Sequence, residues 1–169
     1  TDGFVTTGTF GSGSIPVTGA GTRMMWYPGK AAFRVGNVNS FQWNDANVGD
    51  YSFASGQNVR ADGLHATAMG VNNNASGEKS IAMGSGTDAT QIFSIAMGED
   101  TRATNIGAVA IGGITEAKGI YSDALGGQTV AESAYEFAAG VFNTEYTPNN
   151  RNGIDTDDRI FVVGIGTST

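Results

Sequence analysis

The sequence predicts an all-β fold, a parallel β-solenoid of 14-residue coils with non-repeat caps at both ends, and three columns of residues carry that reading. Gly56, Gly70, Gly84, Gly98, Gly112, Gly126 and Gly140 recur at a strict interval of 14. Two positions earlier, Ala54, Ala68, Ala82, Ala96, Ala110, Ala124 and Ala138 keep the same interval, and half a period away lie Ala61, Ala75, Ala89, Ala103, Ala117 and Ala131. Runs such as Ser80-Ile81-Ala82-Met83-Gly84 alternate small and large residues with the period of two that belongs to strands.

Fourteen residues hold two strands of about five and two tight turns, and coils stacked at roughly 4.8 Å pair each strand with its copy in the next coil. The seven coils over residues 48–140 have six intervals, so the repeat body should be roughly 29 Å long. On the first strand one face presents Ile81, Met83, Ile95, Met97, Val109, Ile111 and Leu125, and the other presents Ser80, Ala82, Gly84 and their equivalents. Bulky apolar residues favour burial, while Ala and Gly columns allow another backbone to approach. A two-stranded coil has almost no interior in which to bury both faces. The apolar columns are therefore expected to form the core of a symmetric homo-oligomer.

The second half of each coil is polar and variable, as in 58–62, 72–76 and 100–104, and should supply solvated turns and an outward strand. Thr87, Thr101, Thr115 and Thr129 recur there at the same interval of 14 and are expected on an exposed strand. A flat ice-binding face is disfavoured by the charged neighbours Asp88, Arg102 and Glu116.

The flanks, residues 1–47 and 141–169, have no register with the repeat and should cover the unpaired ends of the solenoid. Residues 1–47 divide into an extended connecting strand, residues 1–14, and a cap over 22–47 in which Trp26, Phe33, Phe41 and Trp43 seal the apolar end. Residues 141–169 form the second cap, with a final strand at Ile160-Phe161-Val162-Val163-Gly164. Before that strand, Asp155, Asp157 and Asp158 beside Asn150 and Asn152 are a candidate Ca²⁺ set. The loop lacks the full EF-hand pattern with its terminal Glu, so an acidic turn is the plainer reading and no cofactor is assigned.

Composition narrows the function. With 26 Gly but only 3 Pro, and no every-third spacing, collagen is excluded. A hydrophobic share of 40 % against 15 % charged excludes a disordered tail. The net charge of −7, with no run of Lys or Arg, makes nucleic acid an unfitting partner. No apolar stretch approaches the roughly 20 residues needed to cross a bilayer, so this segment should not insert directly, and a start at Thr1 is expected of a piece of a longer chain. Without Cys there are no disulfides or thiolate zinc sites. The single His, His65, has no activated nucleophile beside it in sequence and reads as a polar turn residue. Asp62, Asp88, Asp100, Glu116 and Asp123 stand in different columns and suggest no catalytic pair. No phosphate-loop pattern follows Gly29-Lys30-Ala31.

The Ser-(Ile/Val)-Ala-(Ile/Met)-Gly lines, each Ala followed seven residues later by another, resemble the head repeats of trimeric autotransporter adhesins, the YadA-like head. The resemblance covers residues 48–140 and implies a left-handed parallel β-roll assembled as a homotrimer. The runs 19–36 and 159–167 are similar to segments that bracket such repeats in long surface or tail-fibre-like bacterial proteins. The resemblance implies a non-enzymatic head segment at the cell surface or outside the cell, a rigid spacer and adhesion surface whose ligand is a host-matrix, glycan or biofilm component. The alternative is a receptor-binding or spacer segment of a phage tail fibre or contractile injection particle. Departures from the pattern are Phe53, Ser55, Thr67 and Asp123 at large positions, and Gln91, Asn105 and Ser133 in place of the second-strand Gly. Asp123 needs a partner if it faces inward. Collagen-binding heads carry Asn before the Ser, where this chain has Lys79 and Phe93, so collagen binding does not transfer.

Overall fold

Every seventh residue along the repeat body turns the chain. Tyr51, His65, Lys79, Phe93, Gly107, Tyr121 and Tyr135 form one turn column, and Asn58, Asn72, Gly86, Asp100, Ile114, Gln128 and Phe142 form the other, all with φ between 49° and 68°. Only two of these are glycine, so most coils hold a side chain in the left-handed region against its intrinsic preference. Stacking on both sides over-determines the conformation.

The computed structural model describes residues 2–166, and among them there is no α-helix. A hairpin, β1 (Gly21–Tyr27) and β2 (Ala32–Val38), opens the chain. Long and short strands then alternate: β3 (Phe53–Gln57), β4 (Arg60–Ala61), β5 (Thr67–Val71), β6 (Asn74–Ala75), β7 (Ile81–Ser85) and β8 (Asp88–Ala89). They continue as β9 (Ile95–Glu99), β10 (Arg102–Ala103), β11 (Val109–Gly113), β12 (Glu116–Ala117), β13 (Asp123–Gly127), β14 (Val130–Ala131) and β15 (Phe137–Val141), and β16 (Phe161–Ile165) ends the series. The long strands form one ten-stranded sheet and the short ones a parallel six-stranded sheet. Seven long rungs joined by six short ones make six complete turns, a β-solenoid with the expected 14-residue coil. Register is strict: Ala82 lies beside Ala68 and Ala96, and Gly84 beside Gly70 and Gly98.

The space inside each coil is filled by small side chains. Both Ala columns are fully buried, as are Ser80, Ser94 and Ser122, so the long and short strands approach across little more than methyl groups. Each such methyl removed from water contributes on the order of 0.8 kcal/mol. Here the structure corrects the expected exposure of the Thr column: Thr87, Thr101, Thr115 and Thr129 point into the coil, with at most 1 % of their surface exposed. A two-residue strand puts its single inward Ala next to the turn, and the residue two positions before that Ala shares its direction. The four Thr hydroxyls have no hydrogen-bond partner. Val has the shape of Thr without that unsatisfied group, so Thr101→Val is expected to stabilise the fold by about 1 kcal/mol, read as a raised midpoint in thermal or denaturant unfolding.

The ends are plugged by long polar side chains. In the register of the first Ala column, Arg34 stands opposite Ala54. Fully buried, its guanidinium donates to the Ser52 carbonyl at 3.0 Å, the Ser52 hydroxyl at 2.7 Å and the Ala61 carbonyl at 2.9 Å. Burial lowers its pKa to about 10, against the pull of Asp62. At the other end Glu136 takes the place of the inward Ser and accepts from the backbone N–H of Glu132 at 2.7 Å and Ser133 at 3.0 Å, and from Arg159 Nε at 2.6 Å. Asn73 and Asn143 bracket the Thr column: Asn73 Oδ1 accepts from the Thr87 N–H at 2.9 Å, and Asn143 bonds both backbone groups of Val130.

The caps differ from the sequence expectation in their register, in their aromatic seal and in residues 1–14. Although they lack the 14-residue interval, each adds a rung in register: Gly36 aligns with Gly56, and Gly164 with Gly140. The extra residues leave as loops, because pairing is set by the close approach at glycine and not by equal spacing. Trp43 is fully buried and donates to the Val59 carbonyl at 2.9 Å, which closes the first coil. Of the four aromatics expected to seal this end, Trp43 alone is fully buried: Phe41 remains 59 % exposed, and Trp26 and Phe33 are half-buried on the outward face. The described part of residues 1–14 forms no strand and leaves the outer edge of β1 unpaired, although Gly11 donates to the Gly29 carbonyl at 2.9 Å.

Candidate functional site

The outward face of the long strands is the first candidate. Alternation sends the small residues inward and places Ile81, Ile95 and Val109 in one registered row and Met83, Met97, Ile111 and Leu125 in the next. These residues are half-buried in the single chain, except Ile111, which is 40 % exposed. Toward both ends the first row continues as stacked pairs, Phe33 on Phe53 at 5.8 Å and Phe137 on Phe161 at 5.7 Å. Beyond Phe33 the face opens into an apolar cavity of about 660 Å³ lined by Phe4, Val5, Pro16, Met24 and Trp26. A soluble chain rarely leaves so long an apolar stripe uncovered.

Asp123 interrupts the stripe. It follows Val109 and precedes Phe137 in register, and burial raises its carboxyl above the ordinary value. Neither neighbour offers a charge.

The glycine column controls how closely coils approach. A Cβ on Gly84, Gly98, Gly112 or Gly126 would lie 2.0 Å or less from the next coil's carbonyl oxygen, and Gly56, Gly70 and Gly140 are as tight, at 2.0–2.2 Å. The column is thus a packing requirement and leaves no room for a ligand between coils.

Among the described residues the buried or clustered titratable groups are engaged in structural contacts. Glu132 is buried and paired with Lys118 and Arg151; burial pushes its carboxyl up, but hydrogen bonds from those two cations outweigh this and hold it below the ordinary range. His65 sits in a left-handed turn and stacks on Tyr51 at 4.9 Å. Carboxylates of the candidate Ca²⁺ loop are used separately. Asp155 Oδ1 accepts from the Asp157 N–H at 3.0 Å, and Asp158 accepts from the N–H groups of Asn149 and Asn150 at 2.7 and 2.8 Å. Among the described residues no three His, Cys, Asp or Glu side chains converge to hold a metal.

A second surface was not singled out by the sequence. Beside the first two short-strand rungs, the cap loop at residues 39–42 meets the turns at Asn58 and Asn72 to form an open polar cleft of about 390 Å³. Its sequence signal is a local run of amides at turn positions that elsewhere hold Gly86, Asp100, Ile114 and Gln128.

No curated protein matches the chain. The family described as YadA head domain repeat matches twice, over residues 61–87 and 89–113. Each matched stretch begins in the short-strand half of one coil and carries the Ala and Gly columns into the next. The coils over residues 61–87 and 89–113 are therefore similar to YadA head domain repeats.

Proposed function

We propose that this chain is a non-enzymatic head segment of a surface-exposed or fibre-like homotrimer, serving as a rigid spacer and an adhesion surface at the cell surface or outside the cell. The observation that carries the reading is the uncovered apolar stripe from Phe33 to Phe161, in which Ile81, Met83, Ile95, Met97, Val109, Ile111 and Leu125 face outward from strands whose inner side is already filled by Ala, Ser and Thr. Three such stripes facing one axis bury each other, and the YadA head repeats support that number of chains. Rigidity follows from the strict register: bending the rod must break several ladder hydrogen bonds in one rung. In this reading the surface acts by recognition, with no cofactor.

Absolute mass in solution tests this. Light scattering or equilibrium sedimentation should give three 17.4 kDa chains across the concentrations a surface protein meets. A stable monomer would remove the homotrimer and with it the head reading.

A further inference from the structure

We infer that the cleft between the cap loop and the first two coils is a binding site for a neutral carbohydrate. The inference deepens the adhesive reading above by giving it a ligand class, but the site needs only one chain.

Four properties of the cleft lead there. Its walls are planar amides: Asn39 and Gln42 from the cap loop, Asn58 and Asn72 from the turns, and Asn74 on β6. An amide offers donors and an acceptor on one rigid plane, which matches the paired hydroxyls of a sugar ring. These amides hold one another in place: Asn58 Nδ2 donates to Asn72 Oδ1 at 3.2 Å, Asn58 Oδ1 accepts from the Asn39 N–H at 2.9 Å, and Gln42 Nε2 donates to Asn39 Oδ1 at 2.9 Å. Among the described residues, the Nδ2 groups of Asn39, Asn72 and Asn74 donate to no protein acceptor, which leaves three lining residues with donors to offer a ligand.

The rim is aromatic. Phe41 is 59 % exposed on a loop that buries Trp43 two residues later, which is the placement of a ring offered to the apolar C–H face of a pyranose. The charge is balanced: Arg60 Nε donates to Asn74 Oδ1 at 3.0 Å and lies 3.5 Å from Asp62. With a chain charge of −7, an acidic glycan gains nothing by approaching. Finally, the size of about 390 Å³ lies at the small end of ligand clefts and takes roughly one or two sugar rings.

The fold does not demand this composition. The same turn column accepts Gly, Asp, Ile and Gln in later coils, and the outward short-strand position accepts Asp88, Arg102 and Glu116. Amides gather only where the cap loop adds its own.

The test is titration of the isotope-labelled protein with cellotriose, maltotriose, chitotriose and sialyllactose, mapping amide shifts and saturation transfer. At least one neutral trisaccharide should bind, with shifts confined to residues 39–42, 58–60 and 72–74. Phe41→Ala should weaken it by about tenfold or more, and Phe41→Trp should retain it. Because Phe41 is exposed, neither variant should alter the melt. Absence of binding by all three neutral sugars, preference for sialyllactose, or shifts elsewhere would overturn the site. Adhesion of the intact surface protein to its substratum is scored in parallel. If adhesion persists while no sugar binds, the carbohydrate site fails and the adhesive head survives; if sugars bind while adhesion is absent, the reverse holds.

Discussion

Gly98→Ala is expected to abolish the folded roll. A Cβ on Gly98 would lie 1.9 Å from the carbonyl oxygen of Gly112, and the φ of 126° is one that only glycine adopts without strain. The obstructing atom is backbone held in a ladder on both sides, so it cannot swing away as a flexible side chain would. Relief requires separating two coils in the middle of the rod, which costs the rung's hydrogen bonds and the packing of the Ala and Thr columns beneath it. A loss of about 4 kcal/mol or more is the result, a large part of a small domain's stability. Gly113→Ala is the matched control: a Cβ there meets nothing within 4 Å, and the change should stay within about 0.5 kcal/mol. Circular dichroism melts of the two variants read the difference directly. A native melt for Gly98→Ala would show that coil spacing is not set by this column.

Ile95→Asp acts one level up, on assembly. Ile95 stands between Ile81 and Val109 in the outward row, and in the proposed trimer three carboxylates would enter an apolar axis together. Each buried unpaired charge costs several kcal/mol, so sedimentation should show dissociation to monomers while strand content persists. Arg102→Asp places the same charge on the opposite sheet, where the Arg side chain is 58 % exposed, and should leave the mass unchanged. The natural Asp123 already occupies this row, so Asp123→Val should tighten the trimer. An intact trimer in Ile95→Asp would mean that a different face meets the axis.

Much of this architecture was legible because it is periodic. The Ala and Gly columns identified strands, coil length and parallel stacking, since only a fold whose neighbours are equivalent copies needs the same small residue every 14 positions. Alternation also separated Ile81 and Met83 from Ala82. What periodicity did not reveal was direction for the short strand. The Thr column looked like an ordinary exposed ladder, yet its members are buried, because with two residues per strand the polar pattern is too short to show which face is inside. The caps were misjudged for a related reason. Gly36 and Gly164 belong to the glycine ladder, but loops of unequal length hide the interval.

The polar cleft was the least legible feature. Asn58 and Asn72 were visible only as turn residues, and Asn39, Phe41 and Gln42 as parts of a cap. Nothing in a linear order brings residues 39–42 against two successive turns. Their meeting depends on Trp43 anchoring the loop to the Val59 carbonyl.

The coil was readable from residue order: its length, its strands, the face carrying the large apolar residues and the glycine column that lets coils meet all follow from local sterics repeated in register. Tertiary structure alone decided what fills the coil, how Arg34 and Glu136 close its ends, and where the cap loop comes to rest, because each depends on side chains reaching groups distant in the chain.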